Sequence, residues 1–322
     1  MKEINVSENL AGQRLDKLLF KILNKAPKSF IYKMLRKKNI VLNNKKAEGS
    51  EILKINDIIK LYLADETIDK FSIHMEMDIV DYELDILYED KNILIINKPI
   101  GILSQKSTKK DLSMVDYLIS YMLKTNQITH EQLISFKPGI CNRLDRNTSG
   151  ILIGGKTLVG LQEMAKIIRM RKIDKYYLCI VKGRLEDSKS ITGYLKKDKD
   201  SNIVTVSQKP LAQADFIHTE YEPLSYSREN YTLLKVQLIT GRSHQIRAHL
   251  ASIGHPIIGD FKYGDEKTNN YFKEKHGLKH QLLHSHRCVF PQLLGPLDNL
   301  SGLECEAAVP KIFDTIKRDL FR

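Results

Sequence analysis

The chain has 322 residues, a formal net charge of +12 and a pI near 9.3. That length exceeds one ordinary domain, and with no run of eighteen apolar residues and no signal peptide at Met1-Lys-Glu-Ile-Asn-Val, a soluble, cytoplasmic protein with no membrane partner is expected. The four cysteines, Cys141, Cys179, Cys288 and Cys305, lack the paired spacing of zinc sites, so they read as buried or incidental thiols and imply neither a metal nor a disulfide framework.

The positive charge is concentrated at one end. Residues 1–63 hold 12 Lys and 2 Arg against 6 Asp or Glu, so 14 minus 6 gives +8, two thirds of the total excess, in about a fifth of the chain. A polyanionic partner follows as an expectation.

From Arg14, the apolar residues Leu15, Leu18, Leu19, Ile22 and Leu23 fall at helical spacing, which predicts an amphipathic helix broken by Pro27. A second helix is predicted over 28–38, burying Phe30, Ile31, Met34 and Leu35 and leaving Lys28, Lys33, Arg36, Lys37 and Lys38 to solvent. Short strands follow at 40–42 and about 58–63, around a turn at 43–46. Residues 64–82 are acidic and weakly periodic, and read as a linker. A hairpin is then expected from strands 86–89 and 93–97, turning at Asp90-Lys-Asn92 and ending in Lys98-Pro-Ile-Gly101. Asp111 is placed to cap a helix carrying Leu112, Val115, Leu118, Ile119 and Met122.

The stretch Gly139-Ile-Cys-Asn-Arg-Leu-Asp-Arg-Asn-Thr-Ser-Gly-Ile-Leu-Ile-Gly-Gly-Lys156 organises the rest. It reads as a polar loop that enters a buried strand at 151–153 and presents one carboxylate, Asp145, between Arg143 and Arg146. Those cations would hold Asp145 ionised and suit a phosphate-rich substrate, although Arg-Leu-Asp alone is also what a surface turn offers.

A helix over 157–170 is expected to turn Leu158, Leu161, Met164, Ala165 and Ile168 inward. Strands at 175–181, 203–206, 214–219, 231–239 and 282–290 make most of the second half sheet. The basic cluster Thr240-Gly-Arg-Ser-His-Gln-Ile-Arg-Ala-His-Leu250 opens at a strand end and continues as a helix, and 311–321 closes the chain as another.

Gly150-Ile-Leu-Ile-Gly-Gly-Lys-Thr157 satisfies the spacing of a phosphate loop, a glycine, four residues, then Gly-Lys-Thr. Such a loop works by curling backbone amides around phosphates between strand and helix, whereas Ile151-Leu-Ile153 is itself strand-forming. Nucleotide hydrolysis is set aside on that ground.

Gly12-Gln-Arg-Leu-Asp-Lys17, Pro27-Lys-Ser-Phe-Ile-Tyr-Lys-Met-Leu-Arg-Lys37 and Ile40-Val-Leu-Asn43 resemble an S4 RNA-binding domain. The resemblance implies that the second helix lies on structured RNA and positions phosphates rather than reading sequence; on pattern alone the charge run is equally a solvated face. Three later segments occur in the order found in the RluA family of pseudouridine synthases. They are Asn142-Arg-Leu-Asp-Arg-Asn-Thr-Ser-Gly150, Lys175-Tyr-Tyr-Leu-Cys-Ile-Val-Lys-Gly183, and Thr240-Gly-Arg-Ser-His-Gln-Ile-Arg247 with His255-Pro-Ile-Ile-Gly-Asp260 and Tyr263-Gly264. The likeness spans about 86–310, includes Asn97-Lys-Pro99 and Leu283-His284, and is greatest to the RluC/RluD branch, which modifies large-subunit (23S) ribosomal RNA.

The resemblance implies an α+β pseudouridine synthase fold on a mixed, largely antiparallel sheet. It divides the chain into an S4 domain at 1–63, a linker at 64–82 and a catalytic domain at 83–322, acting on RNA as a monomer. The family reaction detaches uracil from C1′ of its ribose, rotates it and rejoins it through C5, with no cofactor and no metal. Asp145 matches the catalytic aspartate; a carboxylate can be a nucleophile with a covalent intermediate or support charge at C1′, and both remain open. Tyr177 matches the tyrosine that packs on the base. Strand alternation puts Tyr176 and Tyr177 on opposite faces, and the family's Lys-x-Tyr spacing selects Tyr177.

Arg247 matches the arginine that pairs with the carboxylate, and Arg143 the one that fills the gap left when the uridine flips out. Arg242, His244 and Gln245 are assigned to RNA-backbone binding or loop support. Asn142 stands where many members have His, which alters a polar contact beside the loop and bears on which uridine is chosen. The rivals are a non-catalytic RNA-binding or ribosome-assembly protein that keeps the fold, and an S4-bearing RNA methyltransferase. The first does not explain why all three catalytic positions remain, and the second lacks its Gly-rich cofactor loop. A transfer RNA target fits the same fold.

Overall fold

The computed structural model describes residues 1–72, 79–198 and 203–322. In the amino-terminal unit, helices Leu15–Ile22 and Lys28–Arg36 bury Leu15, Leu18, Leu19, Ile31 and Leu35 in one apolar core with Ile40 and Ile59. The sheet there is antiparallel, ordered Lys2–Asn5, Ile58–Leu61, Ile40–Leu42, Lys45–Lys46. Lys28, Lys33, Arg36, Lys37 and Lys38 are all exposed, as the helical period requires. The stretch expected to be a linker differs. Asp65–Phe71 is a helix whose Ile68 enters the same core and whose Phe71 ring lies 4.6 Å from that of Phe30. Two apolar residues give little periodicity, yet they suffice to cover a core already formed. The linker expectation at 73–78 lies outside the described residues.

The larger unit is built on one twisted path of strands: Val204–Ser207, Lys189–Lys197, Asp215–Tyr226, Tyr231–Leu238, Asp174–Lys182, Leu283–Val289, Ser149–Gly155, Ile93–Lys98 and Ile86–Glu89. Every neighbouring pair is antiparallel except Leu283–Val289 with Ser149–Gly155, so the sheet is mixed and largely antiparallel, as expected. The continuous apolar runs have a simple cause. Leu94, Ile96 and Leu152 face one core, with Leu118 of helix Met114–Lys124, while Ile93, Ile95, Ile151 and Ile153 face another, with Met164 and Phe290. Strands covered on both faces need no polar alternation.

Several expectations change in detail. Ser113, not Asp111, caps helix Met114–Lys124, in a capping box with Asp116, while Asp111 accepts hydrogen bonds from the amides of Ser107 and Thr108 in the preceding turn. Helix Leu158–Arg169 buries Met164 and Ile167, and leaves Ala165 exposed, because Thr157 begins the helix as its N-cap and fixes the face. Strand Lys189–Lys197 and helix Glu266–His276 were not expected; each is mostly polar, with few apolar residues turned inward. Gly150–Thr157 is strand and helix cap rather than phosphate loop, and Lys156 Nζ donates to Glu89 and to the Asp90 carbonyl.

The one parallel junction is tight. Gly150 has φ +106°, and a Cβ there would lie 2.1 Å from the Ser285 carbonyl oxygen. Beside it His284, fully buried, accepts from the Ser149 hydroxyl at Nδ1 (2.8 Å) and donates from Nε2 to the Ala307 carbonyl (3.0 Å). Burial pushes its pKa down to about 4, and that of the equally buried His249 to about 4 as well.

Gly150→Ala is expected to cost about 3 to 5 kcal/mol, overpacking and positive-φ strain acting together, read as a lowered urea midpoint. The two histidines are neutral in the fold and protonate more readily when unfolded. Their contribution is therefore present above pH about 6.5 and lost as pH falls toward about 4, on the order of 3 kcal/mol each at most. Urea midpoints measured between those pH values should fall steeply, and His284→Gln should flatten part of that slope.

Candidate active site

Three segments converge on a cleft of about 610 Å³: the loop 141–148, the start of strand Asp174–Lys182, and the loop 239–244 with the first turn of helix Gln245–Ser252. The first loop is fixed by its backbone. Ser104 Oγ donates to the Leu144 carbonyl (2.7 Å) and accepts from the Leu144 amide (3.0 Å), and the Thr148 amide closes onto the Asp145 carbonyl (3.1 Å). The fully buried Lys98 donates from Nζ to the carbonyls of Pro99, Ile102 and Arg146, at 2.7, 2.8 and 3.0 Å. Three N–H groups meeting three carbonyls tie the end of strand Ile93–Lys98 to the loop. Burial pushes the Lys98 pKa down to about 7, while the nearby Asp145 charge acts in the opposite direction.

Asn142 completes the frame. Its side chain accepts from the Ile153 amide (2.7 Å) and donates to the Ile151 carbonyl (3.3 Å), acting as a short extra rung on strand Ser149–Gly155. Asn142 is thus spent on backbone support.

Arg247 donates from Nη1 to Asp145 Oδ2 at 2.7 Å, and its Nε and Nη2 grip both oxygens of Asp260, at 2.7 and 2.9 Å. Arg247 and Asp260 are buried, whereas the Asp145 side chain is 26% exposed at the cleft. Burial alone would lower the Arg247 pKa, but the hydrogen bond and charge of Asp260, with Asp145 adding, raise it. A desolvated guanidinium is held charged by one carboxylate and offered to another. The flanking arginines expected to hold Asp145 do not do so in this geometry: Arg143 and Arg146 are exposed, and Arg146 contributes its carbonyl to Lys98 and to the Gly101 amide.

Around this pair, His244 adopts left-handed backbone (φ 56°) as the helix N-cap. Its Nδ1 meets the Tyr263 hydroxyl at 2.8 Å and its Nε2 lies 3.9 Å from Asp145 Oδ2. Burial lowers the His244 pKa, with Arg247 adding and Asp145 opposing, so the ring is neutral at pH 7. Tyr263 also accepts from the Val204 amide (3.0 Å), and its ring lies 5.2 Å from the Arg247 guanidinium carbon. Gln245, by contrast, is buried. Its Oε1 accepts from Thr240 and the Arg242 amide, and its Nε2 donates to His218 and Thr219, so of the two roles considered it fills loop support.

Tyr177 lines the cleft and is 6% exposed. Burial raises its pKa to about 12, so it is a phenol at neutral pH. Tyr176 takes the opposite face of the strand, 5.6 Å from the Arg287 guanidinium carbon. Arg143 and Arg242 are exposed at the cleft wall, the latter 3.0 Å from Asp215. The amino-terminal cations lie on their own helix and contribute nothing to the lining of this cleft. Sequence reasoning missed Asp260, Tyr263 and Lys98 as members of the site. All three stood in quoted motifs, and an Asp after Gly259 with Tyr263 close behind was the available signal.

Asp260→Asn leaves the buried guanidinium short of its main counter-charge. A loss of about 3 to 5 kcal/mol is expected, measured by urea unfolding, with a fall in turnover larger than any rise in KM because Arg247 no longer aims Asp145.

A family described as RNA pseudouridylate synthase matches residues 92–252. An uncharacterised RNA pseudouridine synthase of Mycoplasma genitalium is 35% identical over 89% of this chain and 88% of its own length. A protein named ribosomal large subunit pseudouridine synthase C, from Buchnera aphidicola, is 31% identical over 89% and 88%. The solved structure of human RNA pseudouridylate synthase domain containing 4 shares the fold with a TM-score of 0.57 at 23% identity, covering 72% of this chain and 91% of that one. By its matched segment, its relatives and its fold, the chain belongs to the RluA-type RNA pseudouridylate synthases.

Proposed function

We propose that the protein converts uridine to pseudouridine in large-subunit ribosomal RNA, with Asp145 as the nucleophile and the target base flipped into the cleft. The observation that carries this reading is the pinned carboxylate: Asp145 sits at the cleft with one oxygen on Arg247, which is itself locked by Asp260. Among the described residues, its contacts with Arg247 and His244 both fall on Oδ2, which leaves Oδ1 for the substrate. The substrate class rests on relatives named as large-subunit synthases.

The chemistry is an isomerisation, so nothing is consumed. The bond from N1 to C1′ breaks, the uracil turns, a bond forms from C5 to C1′, and the C5 proton is lost while N1 gains one. Tyr177 offers an aromatic face and a protonated hydroxyl beside the carboxylate, suited to packing on the rotating base. Arg143, exposed at the cleft wall, takes the place vacated in the RNA stack. The amino-terminal unit acts as an S4-type platform whose exposed Lys28, Lys33, Arg36, Lys37 and Lys38 hold phosphates.

Asp145→Asn should reduce product by at least about 10³-fold while leaving RNA affinity nearly unchanged. Carbodiimide mapping of pseudouridine in large-subunit RNA, from cells lacking the gene and complemented with either form, tests this. Discrete signals should return only with the wild type. Full restoration by Asp145→Asn would remove Asp145 as nucleophile, and an unchanged map without the gene would favour a non-catalytic RNA-binding role.

A further inference from the structure

The cleft is lined by six cationic side chains, Arg143, Arg169, Arg171, Lys175, Arg242 and Arg247, against one carboxylate, Asp145. Two of the six are committed, Arg247 to Asp260 and Asp145, and Arg242 to Asp215. Among the described residues, no carboxylate comes within ion-pair distance of Arg169, Arg171 or Lys175. These three lie on one wall, where helix Leu158–Arg169 ends and the strand carrying Tyr177 begins.

Arg171 stands where the helix terminates, its amide on the Ile168 carbonyl (3.0 Å), with φ +55°. Glycine usually takes that left-handed position, because any side chain is strained there. Lys38 and Asn126 end their helices in the same conformation, so what Arg171 brings to the cleft is a long exposed cation on the wall beside Arg169. Lys175 supplies a second observation. Its Nζ lies 3.9 Å from where a Cβ on Gly241 would be, so it reaches across to the loop 239–244. Burial lowers its pKa and the Arg171 charge lowers it further, so like charges repel within the wall and an anion would relieve them.

We propose that Arg169, Arg171 and Lys175 form a phosphate-binding wall that grips the RNA backbone beside the nucleotide presented to Asp145, separately from the amino-terminal cations. The proposal deepens the reading of the cleft as an RNA-modifying site and rests on it for the identity of the polyanion.

The test uses the full chain and a short single-stranded RNA containing uridine, with affinity followed by fluorescence anisotropy across a salt series. Each lost phosphate contact on a single strand lowers the slope of log affinity against log salt by about 0.7, so the triple variant Arg169→Gln, Arg171→Gln, Lys175→Gln should lose about 2. A control triple on the carboxy-terminal helix, Lys311→Gln, Lys317→Gln, Arg318→Gln, should keep the wild-type slope. Arg171→Gly separates binding from folding. It suits the backbone at +55°, so Tm should hold or rise while affinity falls. An unchanged slope in the wall variant, an equal loss in the control, or wild-type affinity in Arg171→Gly would each overturn the wall. If pseudouridine forms normally and the slope does not move, the wall alone fails. If the slope falls but the wild type yields no pseudouridine, the wall stands and the catalytic reading fails.

Discussion

The site depends on a guanidinium taken out of water. Burying Arg247 would cost several kcal/mol without a partner, and Asp260 offsets that with two charge-assisted hydrogen bonds. Asp260 in turn accepts at Oδ1 from the amides of Lys262 and Tyr263 (3.0 and 3.1 Å), so the turn at 260–263 is shaped by the same carboxylate. Tyr263 then joins His244 and the Val204 amide, tying the edge strand Val204–Ser207 to the loop beside Asp145. One desolvated charge thereby fixes segments distant in sequence. It also leaves the Asp145 carboxylate only singly held: two carboxylates share one guanidinium, and Asp260 holds two of its three hydrogen bonds here.

The sheet supplies what that relay cannot, a rigid base for a loop that must be open to RNA. Loops carry function best when a scaffold over-determines them. Here Lys98 ties the Arg146 carbonyl to the end of one strand, and Asn142 laces the loop to the next. The parallel pairing of His284 with Ser149 sets the strand that follows the Asp145 loop one strand away from Tyr177. The close approach at Gly150 is what allows that register.

What sequence made legible follows from which signals are local. Helices Leu15–Ile22 and Lys28–Arg36 were readable because their apolar stripes repeat over two turns, and strands such as Ser149–Gly155 because burial on both faces leaves long apolar runs. Helices Asp65–Phe71 and Glu266–His276 were not, because their cores are supplied by residues far along the chain and their own periods are weak. The same reason governs the site. Asp145, Tyr177 and Arg247 were named through motifs, and the pairing of Arg247 with Asp145 came with the family resemblance; the residues by themselves offered the neighbours Arg143 and Arg146 as counter-charge, since sequence shows adjacency and not which way a loop turns. Asp260 stood in a quoted motif, but its role as counter-charge to Arg247 exists only through a contact formed on folding.

The distribution of charge carries one last step. On the proposed reading, a uridine reaches Asp145 only when its flanking backbone is already held, because one flipped base offers few groups for discrimination. Asn142 is absorbed into strand support, and Gln245 into the loop. Neither is free to read a base. On the same proposal, choice of uridine would fall to where the RNA is held, by the cations of helix Lys28–Arg36 and by those around the cleft. Phosphate contacts carry no sequence information directly. On that reading selection is by RNA shape: a nucleotide would be modified where the fold of its strand lets both cationic surfaces be met at once.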